Sequence, residues 1–293
     1  MTKIVVTGAA GFLGTSLVKE LLRSGCFVYA IVRPGSKHNE RLIKEKNVRL
    51  IPVEINEYNQ LPNLIIDRCE FFFHLAWQGA RDDFSEQKKN IDYTIAALEA
   101  AKALSCKRFI CIGSQAEYGL RSCLTTEETL PDPNTSYGAA KLATLYLSRN
   151  RAEQLGIEWI WGRVFSVYGK YEPRGRMLPD LIAALQQKKS FQLTSATQSW
   201  DYLYSEDAAE ALVALMEHGH AGEIYNIANG GVHPLRYFTE QLREYFAPEA
   251  KLYYGEERRQ IVSLQPSVEK IRKDTGWFAR TGFVEGIKQT YNS

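Results

Sequence analysis

The chain has 293 residues, with 36 Lys and Arg against 34 Asp and Glu and a formal net charge of +2. That length allows one large domain or two coupled ones with a sizeable core. The near balance of charge, spread along the chain, argues against a nucleic-acid surface or a polybasic membrane anchor, and no apolar run is long enough to span a bilayer.

Ile4 to Val6 reads as a short buried strand close to the N-terminus, so no signal peptide is expected ahead of it. Gly8, Gly11 and Gly14 follow at three-residue intervals, and from Phe12 to Leu22 the apolar residues recur at helical spacing. A strand, a tight glycine turn and a helix in that order open a doubly wound α/β (Rossmann) unit. Gly8 permits the sharp turn, Gly11 lets a pyrophosphate approach the backbone, and Gly14 lets the helix pack on the strand. The helix N-terminus, starting at Phe12 and Leu13, offers free N–H groups to phosphate.

Phe27 to Val32 is a second strand. An NAD enzyme usually carries an acid at its end to hold the adenosine ribose. Here the run is Val32-Arg33-Pro34-Gly35-Ser36-Lys37, without a carboxylate. Arg33, helped by Ser36 or Lys37, suits a 2′-phosphate, although a solvated loop charge explains it as well. NADP(H) is therefore the expected cofactor, with NAD(H) as the alternative. Val48 to Val53 and Phe71 to Ala76 are further strands, and Leu75, Ala76 and the turn Trp77-Gln78-Gly79-Ala80 that follows should border the cofactor at a strand's carboxyl end. His74 reads as a structural residue rather than a base. Asp82 to Leu104 carries a long helical pattern that includes Asn90, and Arg108 to Ile112 is the fifth strand.

Gly113-Ser114-Gln115-Ala116-Glu117-Tyr118-Gly119 follows, then a polar loop, then a helix from Tyr137 to about Leu155. Tyr137 and Lys141 are four apart and share a helix face. Reducing a carbonyl needs a proton on oxygen as hydride reaches carbon. A tyrosine supplies it if a nearby ammonium lowers its pKa from about 10, and a serine at a strand end adds a hydrogen bond to the developing alkoxide. Tyr-x-x-x-Lys alone is common on amphipathic helices. Behind a glycine triplet and a serine closing the fifth strand, Ser114, Tyr137 and Lys141 are the expected catalytic set.

Ile157 to Trp161 is a sixth strand. The Tyr171 to Arg176 stretch, rich in Gly, Pro and charge, marks a boundary between a dinucleotide-binding part (1–170) and a smaller C-terminal α/β substrate lobe (171–293) whose segments interleave with it. Helices are expected at Met177–Gln187, Ser205–Glu217, Leu235–Phe246, Val268–Asp274 and Val284–Tyr291, with strands near Ser190–Leu193 and Trp200–Tyr204. The five cysteines (26, 69, 106, 111 and 123) lack metal-ligand spacing, so no metal is expected and a reducing cytoplasm is the expected setting.

T-G-A-A-G-F-L-G, H-L-A, the Asn90 helix, Ser114, Y-G-A-A-K, R-V-F-S-V-Y-G and W-D-Y-L-Y-S-E-D-A-A-E-A-L stand in an order that resembles the extended short-chain dehydrogenase/reductases, in the NAD-dependent epimerase/dehydratase family acting on nucleotide-linked sugars. The resemblance implies that Ser114 and Tyr137 contact the sugar carbonyl or hydroxyl, that Lys141 binds the nicotinamide ribose and tunes Tyr137, and that Asn90 supports the active-site helix and counts among the cofactor-binding residues. Gln115, Ser166, Arg174, Arg176 and Trp200 would face the substrate, the arginines towards its diphosphate. The family's dehydratases carry an Asp-Glu pair where this chain has Gln115-Ala116, which argues against water elimination. Glu117 stands one step past that pair as a stray acid, and Trp200 replaces an arginine common in relatives. The implied function is NADPH-dependent reduction of a 4-keto (6-deoxy) nucleotide-sugar. The alternatives are a 4-epimerase with a retained cofactor and, from another class, a non-catalytic NADP-binding regulator. The long helices 82–104 and 137–155 suit a homodimer, or packing within the monomer.

Overall fold

The computed structural model describes residues 1–256 and 262–291. Seven parallel strands form the central sheet: β1 Lys3–Thr7, β2 Phe27–Val32, β3 Val48–Pro52, β4 Phe71–His74, β5 Arg108–Ser114, β6 Glu158–Val164 and β7 Ile224–Ile227. Their order is β7-β6-β5-β4-β1-β2-β3, with Val5 paired to Tyr29 on one side and Phe72 on the other. The strands are nearly continuous apolar runs because both faces of a parallel sheet are covered. The longer helices are α1 Phe12–Arg23, α2 Phe84–Ala103, α3 Ser136–Leu155, α4 Met177–Gln186, α5 Ser205–His218, α6 Leu235–Phe246, α7 Glu269–Thr275 and α8 Phe283–Tyr291. No helix among the described residues is long and apolar enough to cross a membrane.

One face of the sheet packs Ile4, Val6 and Ile110 against Leu17 and Leu21 of α1 and Leu212 and Leu215 of α5. The other packs Val5, Phe72 and Trp161 against Leu98 and Ala101 of α2 and Leu145 of α3. A third core, with Leu181, Leu185, Tyr202, Phe238 and Ile287, builds the C-terminal lobe. β7 and α5 lie beyond residue 171 but return to the sheet, so the chain crosses between its two parts. β7 goes unread in the sequence because Asn226 interrupts a four-residue run. α3 begins where Thr135 accepts a hydrogen bond from the Gly138 N–H at 3.1 Å, and it ends at Gly156 in the left-handed region.

Strand order reverses between β1 and β4, and the crevice at that point is where this fold binds ligands. His74 sits there as a buried strut. Its Nδ1 lies 2.9 Å from Thr7 Oγ1 and its Nε2 3.1 Å from Thr94 Oγ1. Burial, with a smaller push from the Lys141 charge, lowers its pKa to about 3. The unfolded ring titrates near 6.5, so the unfolded chain binds the extra proton first. Stability from this group is complete above pH ~6.5 and is lost as pH falls towards ~3, by up to about 1.4 kcal/mol per pH unit. Urea midpoints measured from pH 7 to 5 should fall less steeply in His74→Asn than in the parent. Equal slopes would mean that another group supplies the acid sensitivity.

Candidate active site

The β1–α1 turn is shaped by backbone contact. Gly8 has φ +67°, and a Cβ there would lie 2.9 Å from the Ala76 nitrogen, while one on Gly14 would lie 2.1 Å from the Gly8 carbonyl oxygen. The turn therefore closes on itself and on the chain after β4. The first N–H groups of α1 have no partner within the helix. They open on a groove of about 520 Å³ lined by Gly8, Gly11, Phe12, Arg33, Leu75 and Ala76, among others. Leu13 packs on the sheet core instead, and neither it nor Gly14 lines the groove.

Arg33 and Ser36 line the far end, as does Asn39; Lys37 is not among the lining residues. Asn39 donates to the Arg33 carbonyl at 3.0 Å, and its buried Oδ1 has no partner among the described residues. Arg41 Nη1 donates to the Ala10 carbonyl at 2.9 Å, and its guanidinium lies 4.1 Å from the centroid of the Tyr171 ring. This contact joins the β2–β3 connection to the loop after β6 along the groove. Asn39, Arg41 and Tyr171 went unread, because no local spacing marks them. A volume in the range of cofactor sites, a glycine turn with no room for side chains and an orphaned buried acceptor on Asn39 fit a dinucleotide.

Asn90 does not line the groove. Its Oδ1 accepts from the Gln78 N–H at 3.0 Å, and its Nδ2 donates to the Gln78 and Glu86 carbonyls at 3.0 and 2.9 Å. The expected cofactor contact is thus corrected: the amide staples the loop after β4, and its polar atoms are occupied there.

Ser114, Tyr137 and Lys141 do not line the groove themselves; Tyr137 and Lys141 adjoin it through Trp77, which does. Ser114 Oγ accepts from the Ala116 N–H at 3.2 Å, which leaves its own proton free to donate. The Ser114 side chain acts on Tyr137, in the direction that favours tyrosinate. Burial raises the Tyr137 pKa, while Ser114 and the charges of Arg81 and Arg176 oppose that rise; Lys141, expected to lower it, is not among these groups. Lys141 Nζ donates to the Ile112 carbonyl at 2.6 Å, lies 3.6 Å from the Trp77 ring centroid and stays 6.0 Å from the Tyr137 ring centroid. Burial lowers the Lys141 pKa to about 8. Trp77 also meets Tyr137 edge to face, with centroids 6.0 Å apart, and the Arg81 guanidinium lies 5.4 Å from the Tyr137 ring centroid. Neither Trp77 nor Arg81 carries a sequence signal beyond its place after β4.

Of the expected substrate residues, Gln115 lies on the short turn after β5, half-buried. Trp200 Nε1 donates to Ser166 Oγ at 3.2 Å, so these two meet each other. Arg176 is exposed, 3.7 Å from Glu172, and its charge reaches Tyr137. Arg174 lies apart, lining a smaller cavity of about 170 Å³ with Glu172 and Tyr291. Asp201, beside Trp200, is buried and accepts from the Asn229 and Gly230 N–H groups at 2.9 and 2.6 Å. Glu117 is no stray acid: it is fully buried and paired with Arg163 at 2.7 Å.

The model of the NAD dependent epimerase/dehydratase family matches residues 4–228. The chain belongs to this family. It is 26% identical to the UDP-N-acetyl-alpha-D-glucosaminuronate decarboxylase of Bacillus cytotoxicus over 98% of this chain and 96% of that protein. It superposes on the UDP-glucuronic acid 4-epimerase of Bacillus cereus in complex with NAD with a TM-score of 0.87 and 25% identity, covering 99% of this chain and 98% of that one. The UDP-glucose 4-epimerase of Thermotoga maritima, with UDP-glucose, shares the fold with a TM-score of 0.89 at 24% identity, covering 99% and 97%. The turn after β5 holds Gln115 and Ala116, and the adjoining Glu117 is bonded to Trp161 and Arg163 of β6.

Proposed function

We propose that this family member reduces a 4-keto nucleotide-diphosphate sugar with NADPH. The observation that carries the reading is the cluster of Ser114, Tyr137 and the buried Lys141 behind Trp77, a residue that lines a groove of cofactor size. The bound nicotinamide supplies the hydride. Tyr137, raised by burial, holds its proton at neutral pH and passes it to the sugar oxygen as negative charge develops there. Ser114, whose oxygen is already engaged by the Ala116 N–H, donates its own hydrogen to the same oxygen. Arg81 and Arg176 stabilise the tyrosinate left behind. Lys141, on the same helix face, would hold the ribose of the nicotinamide.

A second reading is a 4-epimerase that keeps its cofactor. The Arg41–Tyr171 contact beside the groove favours retention, as does the full-length likeness to a UDP-glucuronic acid 4-epimerase that binds NAD. Adding a 4-keto-6-deoxy nucleotide-sugar with NADPH separates the two. Reduction should remove NADPH absorbance in step with product and place deuterium from labelled NADPH at C4. Interconversion of two 4-hydroxy sugars without added reductant, on an enzyme that retains its cofactor through purification, would reject the reductase and support the epimerase.

A further inference from the structure

The turn that carries Ser114 is tied to β6 by a buried ion pair. Glu117 Oε1 accepts from the Ser114 N–H at 2.8 Å and from Trp161 Nε1 at 3.0 Å, and Oε2 accepts from Arg163 Nε at 2.7 Å. The side chains of Arg163 and Glu117 are 2% and 0% exposed. The Arg163 guanidinium lies 4.3 Å from the Tyr118 ring centroid, and the Tyr118 hydroxyl donates to Asn226 Oδ1 on β7 at 2.7 Å. A Cβ on Gly113 would fall 2.0 Å from Trp161 Nε1 and 2.5 Å from Glu117 Oε1, so the strand gives up a side chain to make room for this cluster. Apolar residues of similar volume often stabilise a core as well as a buried ion pair does. Stability alone is therefore a weak reason for placing charge here.

We propose that Glu117 and Arg163 are positioning residues that hold Ser114 at the end of β5 and balance the charge around Tyr137; the proposal rests on the reading of Tyr137 as the proton donor. Two observations support it. The carboxylate holds the backbone N–H of Ser114 itself, which sets the direction of a side chain whose oxygen is already engaged by Ala116. The same carboxylate acts electrostatically on Tyr137, raising it, and on Lys141 and Cys111 beside it. The other groups around Tyr137 are Ser114 from β5, Arg81 from the loop after β4, Arg176 ahead of α4, Lys141 one turn along α3, and the edge of Trp77. Glu117 is the only anion among these named groups, and Arg163 is bound directly to it.

The test is a tyrosinate titration by stopped-flow pH jump on the full chain, fast enough to precede unfolding. Subtracting each protein's Tyr137→Phe counterpart isolates the Tyr137 transition. Glu117→Gln leaves Arg163 unbalanced and should move the transition down by about one pH unit, the scale of one charge at an effective dielectric of about 20. Arg163→Gln leaves a carboxylate still held by several N–H donors, hence ionised, and should move the transition up. Glu117→Gln with Arg163→Gln should return it close to the parent value. A merely structural cluster would move both single variants the same way or neither, and either result overturns the proposal. If one single variant does not fold, the sign of the other and its reversal in the double variant still decide. On a verified substrate, Glu117→Gln should lower kcat about tenfold or more with cofactor Kd unchanged, and unchanged kcat would overturn the positioning of Ser114. The titration needs no substrate, so it stands or falls separately from the role of Tyr137 in turnover.

Discussion

Tyr137→Phe is expected to lower turnover roughly 10²-fold or more while leaving cofactor affinity nearly intact. The hydroxyl is under the influence of Ser114, and the substitution removes one oxygen from a half-buried ring that keeps its contacts with Trp77 and Arg81. Loss of a proton donor should appear in the chemical step and not in the melting temperature. Lys141→Ala should behave differently. Its ammonium donates to the Ile112 carbonyl and lies over Trp77, so its loss should weaken cofactor binding as well as turnover. With Tyr137 raised and Lys141 lowered to about 8, Lys141 sheds its proton before Tyr137 does. In the reductive direction, turnover should therefore hold through neutral pH and decline above about 8 as the Lys141 charge is lost. Near-normal turnover in Tyr137→Phe on a verified substrate would remove tyrosine from the mechanism, and Ser114 would then be the remaining donor in the site.

What the sequence disclosed is what depends on neighbours in the chain. The glycine turn, the i,i+4 spacing of Tyr137 and Lys141 and the end of β5 at Ser114 are local patterns. Each reads directly because backbone geometry converts spacing into position. The misread groups depend on partners far away in sequence. Glu117 looked like a free acid because its partners Trp161 and Arg163 stand 44 and 46 residues on. Asn90 was given to the cofactor, although its amide is satisfied by the loop it staples. The charge relation of Lys141 to Tyr137 depends on where the ammonium points. That is decided by the Ile112 carbonyl and the face of Trp77, and helical spacing carries neither. β7 escaped because a buried Asn226 interrupts its apolar run. That asparagine is satisfied by Tyr118, Glu127 and the Thr125 carbonyl from a distant loop.

NADPH is expected to bind more tightly than NADH, and Arg33→Asp is expected to reverse that order. Arg33 lines the far end of the groove beside Ser36 and Asn39, where β2 ends without a carboxylate. A guanidinium grips a phosphate through paired, charge-assisted hydrogen bonds. Losing about 2–3 kcal/mol of such contact corresponds to roughly 30- to 150-fold in the NADPH dissociation constant. The new carboxylate would repel a 2′-phosphate and accept from the free ribose hydroxyls of NADH. Titrating both cofactors into both proteins at one fixed ionic strength measures the exchange, because contacts of this kind weaken with salt. The solved relative from Bacillus cereus binds NAD, so the opposite result has a specific meaning. If the parent protein binds NADH at least as tightly as NADPH, Arg33 is a solvated loop charge. The ribose would then fall to Glu54, the only carboxylate among the residues lining the groove. In that case Arg33→Asp would change little, and Glu54→Gln would weaken NADH.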